Sequence, residues 1–138
     1  MNRARIHSTE YFERRVLFDG MDYILNGRRF VPVSDIDGMM DCHGKGWILY
    51  EAKHGDSMPP LGQRILIKRL IDVISLAGVP AIAMVCSHGD GKQVYLKDCV
   101  VAAYYTAGLK WRYYQQDYSR QITAKELTDM FLKKMHLK

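Results

Sequence analysis

Six consecutive residues, Ala81-Ile-Ala-Met-Val-Cys86, are all apolar. A strand with one wet face alternates apolar and polar side chains, so an unbroken run of this length suits a strand covered on both faces. Upstream of it, Leu61, Ile65, Leu66, Leu70, Val73, Ile74 and Ala77 recur at helical spacing. This predicts a helix over 61–77 with those side chains inward and Gln63, Arg64, Lys68 and Asp72 on the surface. Pro59-Pro60 introduces the helix and Gly78 closes it. Trp47 to Lys53 reads as a further strand before the prolines. Strand, helix and buried strand in that order predict a parallel crossover, and hence an α/β fold with a mixed central sheet flanked by helices.

The segment Asp37-Gly-Met-Met-Asp-Cys-His43, followed by Gly44-Lys-Gly46 and Trp47-Ile-Leu-Tyr-Glu-Ala-Lys53, has the form of a β-hairpin. A three-residue loop at Gly44–Gly46 would set His43 opposite Trp47, Asp37 opposite Lys53 and Met39 opposite Glu51. Asp35, Asp37, Glu51 and Lys53 would then share one face, because side chains alternate along a strand. Gly38, Met40, Cys42, Ile48, Tyr50 and Ala52 would form the other. Around this centre, Ser8 opens a short helix to about Leu17, and Tyr23–Val33 forms an irregular strand region turning at Asn26-Gly27. Gln93–Ala103 and Leu109–Tyr114 read as later strands. Thr123-Ala-Lys-Glu126 is a capping box opening a helix with Leu127, Met130, Phe131 and Met135 inward.

Composition narrows the class. With 138 residues, 48% of them hydrophobic and 25% charged, the chain is expected to form a single folded domain over 1–138 rather than a disordered tail. It needs no metal or disulfide staple at this size. Cys42, Cys86 and Cys99 are three in number and widely spaced, which fits reduced thiols of a cytoplasmic protein. The opening MNRARIHSTEYFERR has no apolar core of a signal peptide. No uncharged apolar run approaches the ~18 residues of a membrane span, so no membrane partner is expected.

Charge is unevenly spread over the formal +5. Residues 1–34 hold 6 bases and 4 acids, residues 35–57 hold 5 acids and 2 bases, and residues 58–138 hold 12 bases and 6 acids. An acidic knot inside a basic chain is self-repelling unless a cation joins it. Hard carboxylate oxygens suit Mg²⁺ or Mn²⁺, which keep several waters and also bind phosphate. A lysine beside them can orient a water or neutralise developing charge.

Asp37, followed by Glu51-Ala52-Lys53 on the next strand, resembles the D…(D/E)-x-K signature of the PD-(D/E)XK nuclease superfamily. The resemblance covers roughly Ser8 to His88 and extends to small nucleases of phages and prokaryotes within that group. It implies a restriction-endonuclease-like core and Mg²⁺-dependent hydrolysis of phosphodiester bonds in DNA. It implies Asp37 and Glu51 as catalytic metal ligands and Lys53 as the residue that orients the water. No proline directly precedes Asp37, and Asp35 competes for the same role; Asp35 and Glu13 are the further candidate metal ligands. The first helix of such proteins often contributes a glutamate, here Glu13 or Glu10, and the helix after the motif a glutamine, here Gln63. Two other readings stand beside this one. A nuclease-like fold can serve as a non-cleaving nucleic-acid-binding or regulatory module, such as a phage counter-defence factor. A Holliday-junction resolvase of the same superfamily would have to be a symmetric homodimer to cut two strands.

Arg64 and Lys68 on the crossover helix, with Lys110 and Arg112 in Lys110-Trp-Arg-Tyr-Tyr114, are the candidate DNA contacts; Lys133 and Lys134 could extend the track. Asp41-Cys42-His43 lacks a second ligand pair and is not read as a zinc site. His54 and His88 follow strand ends, where sites gather, but loop histidines are commonly just solvated.

Overall fold

The computed structural model describes residues 19–20, 22–27, 29–31, 34, 36–55, 57–91, 93–113 and 121–137. The expected helix over 8–17 with Glu10 and Glu13 lies outside the described residues, as do Asp35 and Tyr114. The chain divides into one unit over residues 1–35 and another over 36–138. In the first, β1 (Tyr23–Leu25) pairs antiparallel with β2 (Arg29–Val31). Asn26 and Gly27 join them with φ of 56° and 67°. Two successive positive φ values match the right-handed twist of a hairpin, and Asn-Gly is the pair that adopts them most readily.

The second unit is a five-stranded sheet with a helix against each face. The strands are β3 (Gly38–Asp41), β4 (Trp47–His54), β5 (Ala81–His88), β6 (Val100–Thr106) and β7 (Arg112–Tyr113), and they lie side by side in that order. Only the β4–β5 pair is parallel, so the sheet is mixed as expected. The crossover between β4 and β5 is helix α1 (Leu61–Leu76). Helix α2 (Ala124–Lys134) follows β7 and opens with the expected reciprocal capping box between Thr123 and Glu126.

Side-chain alternation divides the core in two. Leu49, Ala81, Ala83 and Tyr105 pack with Ile67 and Ile71 of α1. Ile48, Tyr50, Ile82, Met84, Cys86 and Val101 pack with Leu127 and Phe131 of α2. Strand β5 contributes to both clusters, which is why its six leading residues are apolar and buried without alternation. A bulge in the β5–β6 ladder between Val85 and Cys86 keeps Val101 of β6 on the α2 side and Tyr105 on the α1 side. The Cys86 thiol, sealed in this core, is pushed up to about 12 by burial and then by Cys99, so it is an inert hydrophobic group at neutral pH.

Four expectations need correction. The hairpin register is shifted by two residues: Gly38 pairs with Tyr50 and Asp41 with Trp47. The loop is longer than three residues because the Cys42 amide donates to the Gly46 carbonyl and the Asp41 carboxylate accepts from the Gly44 amide. Positive φ at both His43 and Gly44 completes that turn. The inward stripe of α1 is Ile67 and Ile71, flanked by Leu70 and Ile74, whereas Leu61 is 64% and Val73 62% exposed. Met130 of α2 is likewise exposed, and Thr128 takes an inward place because its hydroxyl hydrogen-bonds the buried Tyr50 hydroxyl at 2.8 Å. Finally, the segment before β6 is a 3₁₀ turn at Leu96–Asp98, not a strand from Gln93.

One polar cluster fastens α1 to β6. The Tyr105 hydroxyl donates to Asp72 Oδ1 at 2.5 Å, and Lys68 Nζ donates to Asp72 Oδ2 at 3.1 Å while standing 5.5 Å from the Tyr105 ring centroid. The hydrogen bond from Tyr105, followed by Lys68, holds the Asp72 carboxyl below its ordinary 3.8 despite partial desolvation. A lowered carboxylate stabilises the fold above its ordinary value, and that stabilisation is lost as pH falls through the lowered one. Asp72→Asn is therefore expected to flatten the acid limb of the unfolding curve below about pH 4. Urea midpoints measured from neutral pH down to that region check it; an unchanged slope would contradict the role.

Candidate active site

Strand β4 is buried through its middle, and Glu51 lies among its apolar residues at only 2% exposure. A carboxylate that deep is costly unless hydrogen-bonded or joined by a cation. The neighbours supply the first part of the answer. The backbone amide of Asp37 donates to Glu51 Oε1 at 3.3 Å, and Gln63 Nε2 donates to Glu51 Oε2 at 3.1 Å. The Ala52 amide donates in return to Asp37 Oδ2 at 2.8 Å. Asp37 immediately precedes β3, and the observed register continues to an Asp37–Glu51 pair. Each carboxylate is thus held by a main-chain amide of the facing segment, Glu51 by Asp37 and Asp37 by Ala52.

Gln63 reaches this point because 63, 67 and 71 are spaced by four on α1, placing Gln63 above the buried Ile67 and Ile71. It is half-buried, not a surface residue as its expected stripe implied. The reason is the same rotation of α1 that exposes Leu61 and Val73. Lys53 lies two residues beyond Glu51 on the same face and is half-buried. It stands beside Ser87 of β5 in the parallel ladder, not opposite Asp37.

The structure therefore brings Asp37, Glu51 and Gln63 into contact and sets Lys53 on their face. Asp35 and Glu13 lie outside the described residues. Among the described residues, no group of three or more His, Cys, Asp or Glu side chains is placed to hold a metal ion. The donors that do meet, one exposed carboxylate and one buried carboxylate, are hard oxygens that fit Mg²⁺ or Mn²⁺ with waters completing the shell.

The expected DNA-contact residues do not form one track. Arg64 is half-buried, with Nε donating to the Pro59 carbonyl at 3.1 Å. Lys68 is engaged by Asp72. Both stand on α1, on the Glu51 side of the sheet. Arg112 pairs in register with Tyr104 and lines a groove with Lys133 and Lys134 against α2, on the other side. Lys110 is exposed in the preceding loop. Trp111 turns inward against Tyr105, with ring centroids 5.6 Å apart.

The two histidines that the sequence reading set aside as solvated loop residues converge at the end of the parallel pair. His54 and His88 are ladder partners with ring centroids 5.5 Å apart at a T-shaped angle, and His54 Nε2 contacts Asp90 Oδ1. The usable signal was that both histidines end strands joined by a parallel crossover. No family model matches the chain, and no curated protein and no solved structure is significantly similar to it. No helix among the described residues is long and apolar enough to cross a membrane.

Proposed function

We propose that the chain is a metal-dependent nuclease of PD-(D/E)XK type that hydrolyses phosphodiester bonds in DNA in the cytoplasm. One observation supports this reading above the others: a deeply buried glutamate, a neighbouring aspartate, a helix glutamine and a lysine share one sheet face. A binding-only module has little use for a buried carboxylate set beside a second, exposed one, whereas a cation site uses both. Asp37 and Glu51 would hold Mg²⁺ or Mn²⁺, which when bound supplies positive charge to a phosphoryl oxygen and acidifies a water. Gln63 fixes the Glu51 carboxylate so that it need not reorganise. The Lys53 ammonium would orient the attacking water and offset charge developing on the phosphate. The basic excess outside residues 35–57 raises the local concentration of a polyanion.

The test is incubation of the purified chain with linear, nicked, single-stranded and branched DNA in Mg²⁺, Mn²⁺ or EDTA. Lys53→Ala is expected to lower the metal-dependent cleavage rate on the order of 10²–10³-fold, the usual cost of one electrostatic partner, with DNA binding retained. Binding by the native chain without cleavage of any substrate would defeat the proposal.

A further inference from the structure

A cavity of about 550 Å³ opens where β4 and β5 end, and its lining includes Gly55, Ser87, His88, Gln93, Tyr95 and Asp98. In open α/β sheets, ligands settle outside the carboxyl ends of parallel strands, and β4–β5 is the parallel pair here. One lining residue, Ser87, links the cavity to the site just described. Ser87 is the ladder neighbour of Lys53, one strand spacing of about 4.8 Å away.

The rim is held in place by several bonds. Ser87 Oγ donates to the Gly55 carbonyl at 2.6 Å, and the Gly55 amide donates to the His88 carbonyl at 2.9 Å. Tyr95 is 60% exposed, yet its position is set three ways. Its hydroxyl donates to Gln93 Oε1 at 3.0 Å, and its carbonyl accepts from the Asp98 amide at 3.0 Å and the Cys99 thiol at 3.5 Å.

Among its described lining residues there is one acid, Asp98, one histidine, His88, and no Lys or Arg. An aromatic face, a side-chain amide, a carboxylate and glycine main chain suit a flat, neutral, hydrogen-bonding group. We propose that this cavity receives one unpaired nucleobase of the bound strand, stacked on Tyr95, beside the phosphate handled by Asp37, Glu51 and Lys53. The inference rests on the nuclease reading for the identity of the strand. It deepens that reading, because a base must leave its duplex or lie at an end to enter, which makes unpaired DNA the preferred substrate.

The experiment is fluorescence anisotropy in EDTA, comparing labelled oligothymidylate with an abasic strand of equal length and equal phosphate content. The native chain is expected to favour the base-bearing strand by roughly 5- to 150-fold, the worth of one base on an aromatic ring. Tyr95→Ala should bring that preference near unity, while Tyr95→Phe should keep most of it. Thermal unfolding of both variants separates loss of the ring from loss of the fold. Equal binding of the two strands by the native chain, no binding of either, or a preference that survives in a folded Tyr95→Ala would overturn the proposal. Cleavage is scored separately: a Tyr95-dependent preference in a chain that cuts nothing would retire the nuclease reading and leave the cavity's assignment standing.

Discussion

Glu51→Gln is expected to lower metal-dependent DNA cleavage on the order of 10²–10³-fold while leaving the metal-free chain folded. The substitution preserves shape in a site where the side chain is 2% exposed. It keeps one acceptor oxygen and turns the other into an amide. The Gln63 side chain can flip to meet that amide with its own carbonyl oxygen, so the bond now made to Glu51 Oε2 at 3.1 Å is reversed, not lost. The stability change should therefore stay within about 1–3 kcal/mol, the range for a buried polar group with an altered partner. What must disappear is the charge. In the native chain, Mg²⁺ or Mn²⁺ at ~100 times its Kd should stabilise the fold by about 2.7 kcal/mol and raise Tm by several degrees. In Glu51→Gln that shift should vanish together with cleavage. Melting curves with and without the metal, run beside the cleavage assay, check both halves. A metal shift of native size in the variant would remove Glu51 from the metal site, whatever happened to the rate.

That Asp37, Glu51 and Lys53 can be put on one face from the sequence follows from how strands alternate. The register was displaced by two residues, because the turn spans Cys42–Gly46 with a left-handed His43 and Gly44. A shift by two moves each residue along the ladder without moving it to the other face. Asp37, Glu51 and Lys53 therefore kept their shared side, and only their partners changed. Gly78 at φ 80° behind α1, the Thr123–Glu126 box and the apolar run of β5 were readable for a related reason. Each depends on a few adjacent residues. The orientation of α1 does not. Its sequence carries apolar residues on both sides, and the stripe with more of them, including Leu61, Ile65 and Val73, faces away from the sheet. Which side turns inward is decided by Leu49, Ala83 and Tyr105, residues on three different strands. Nor can local pattern place Arg112 beside Lys133 and Lys134, or Tyr95 over a cavity formed by the ends of β4 and β5. Those neighbours meet only once the sheet order is known.

The orientation of α1 yields the second large effect. Ile71 is fully buried and packs in the cluster of Leu49, Ile67, Ala81, Ala83 and Tyr105. Ile71→Ala removes its methyl groups from between helix and sheet, where neither element can readily close the gap. The expected cost is about 2–5 kcal/mol, a large part of the roughly 5–15 kcal/mol that holds a domain together. Val73, two residues on, is 62% exposed, and Val73→Ala should fall within about 0.5 kcal/mol of the native chain. The stripe read from helical spacing alone would make Val73 a core residue, so the pair discriminates directly between the two orientations. Urea titrations with an unchanged m-value give both numbers. Comparable losses for the two variants would mean that α1 lies on the sheet by a different face. Gln63 would then no longer point at Glu51, since 63, 67 and 71 share one line along the helix. Stability at a position two turns away is in this way a measurement of the site itself.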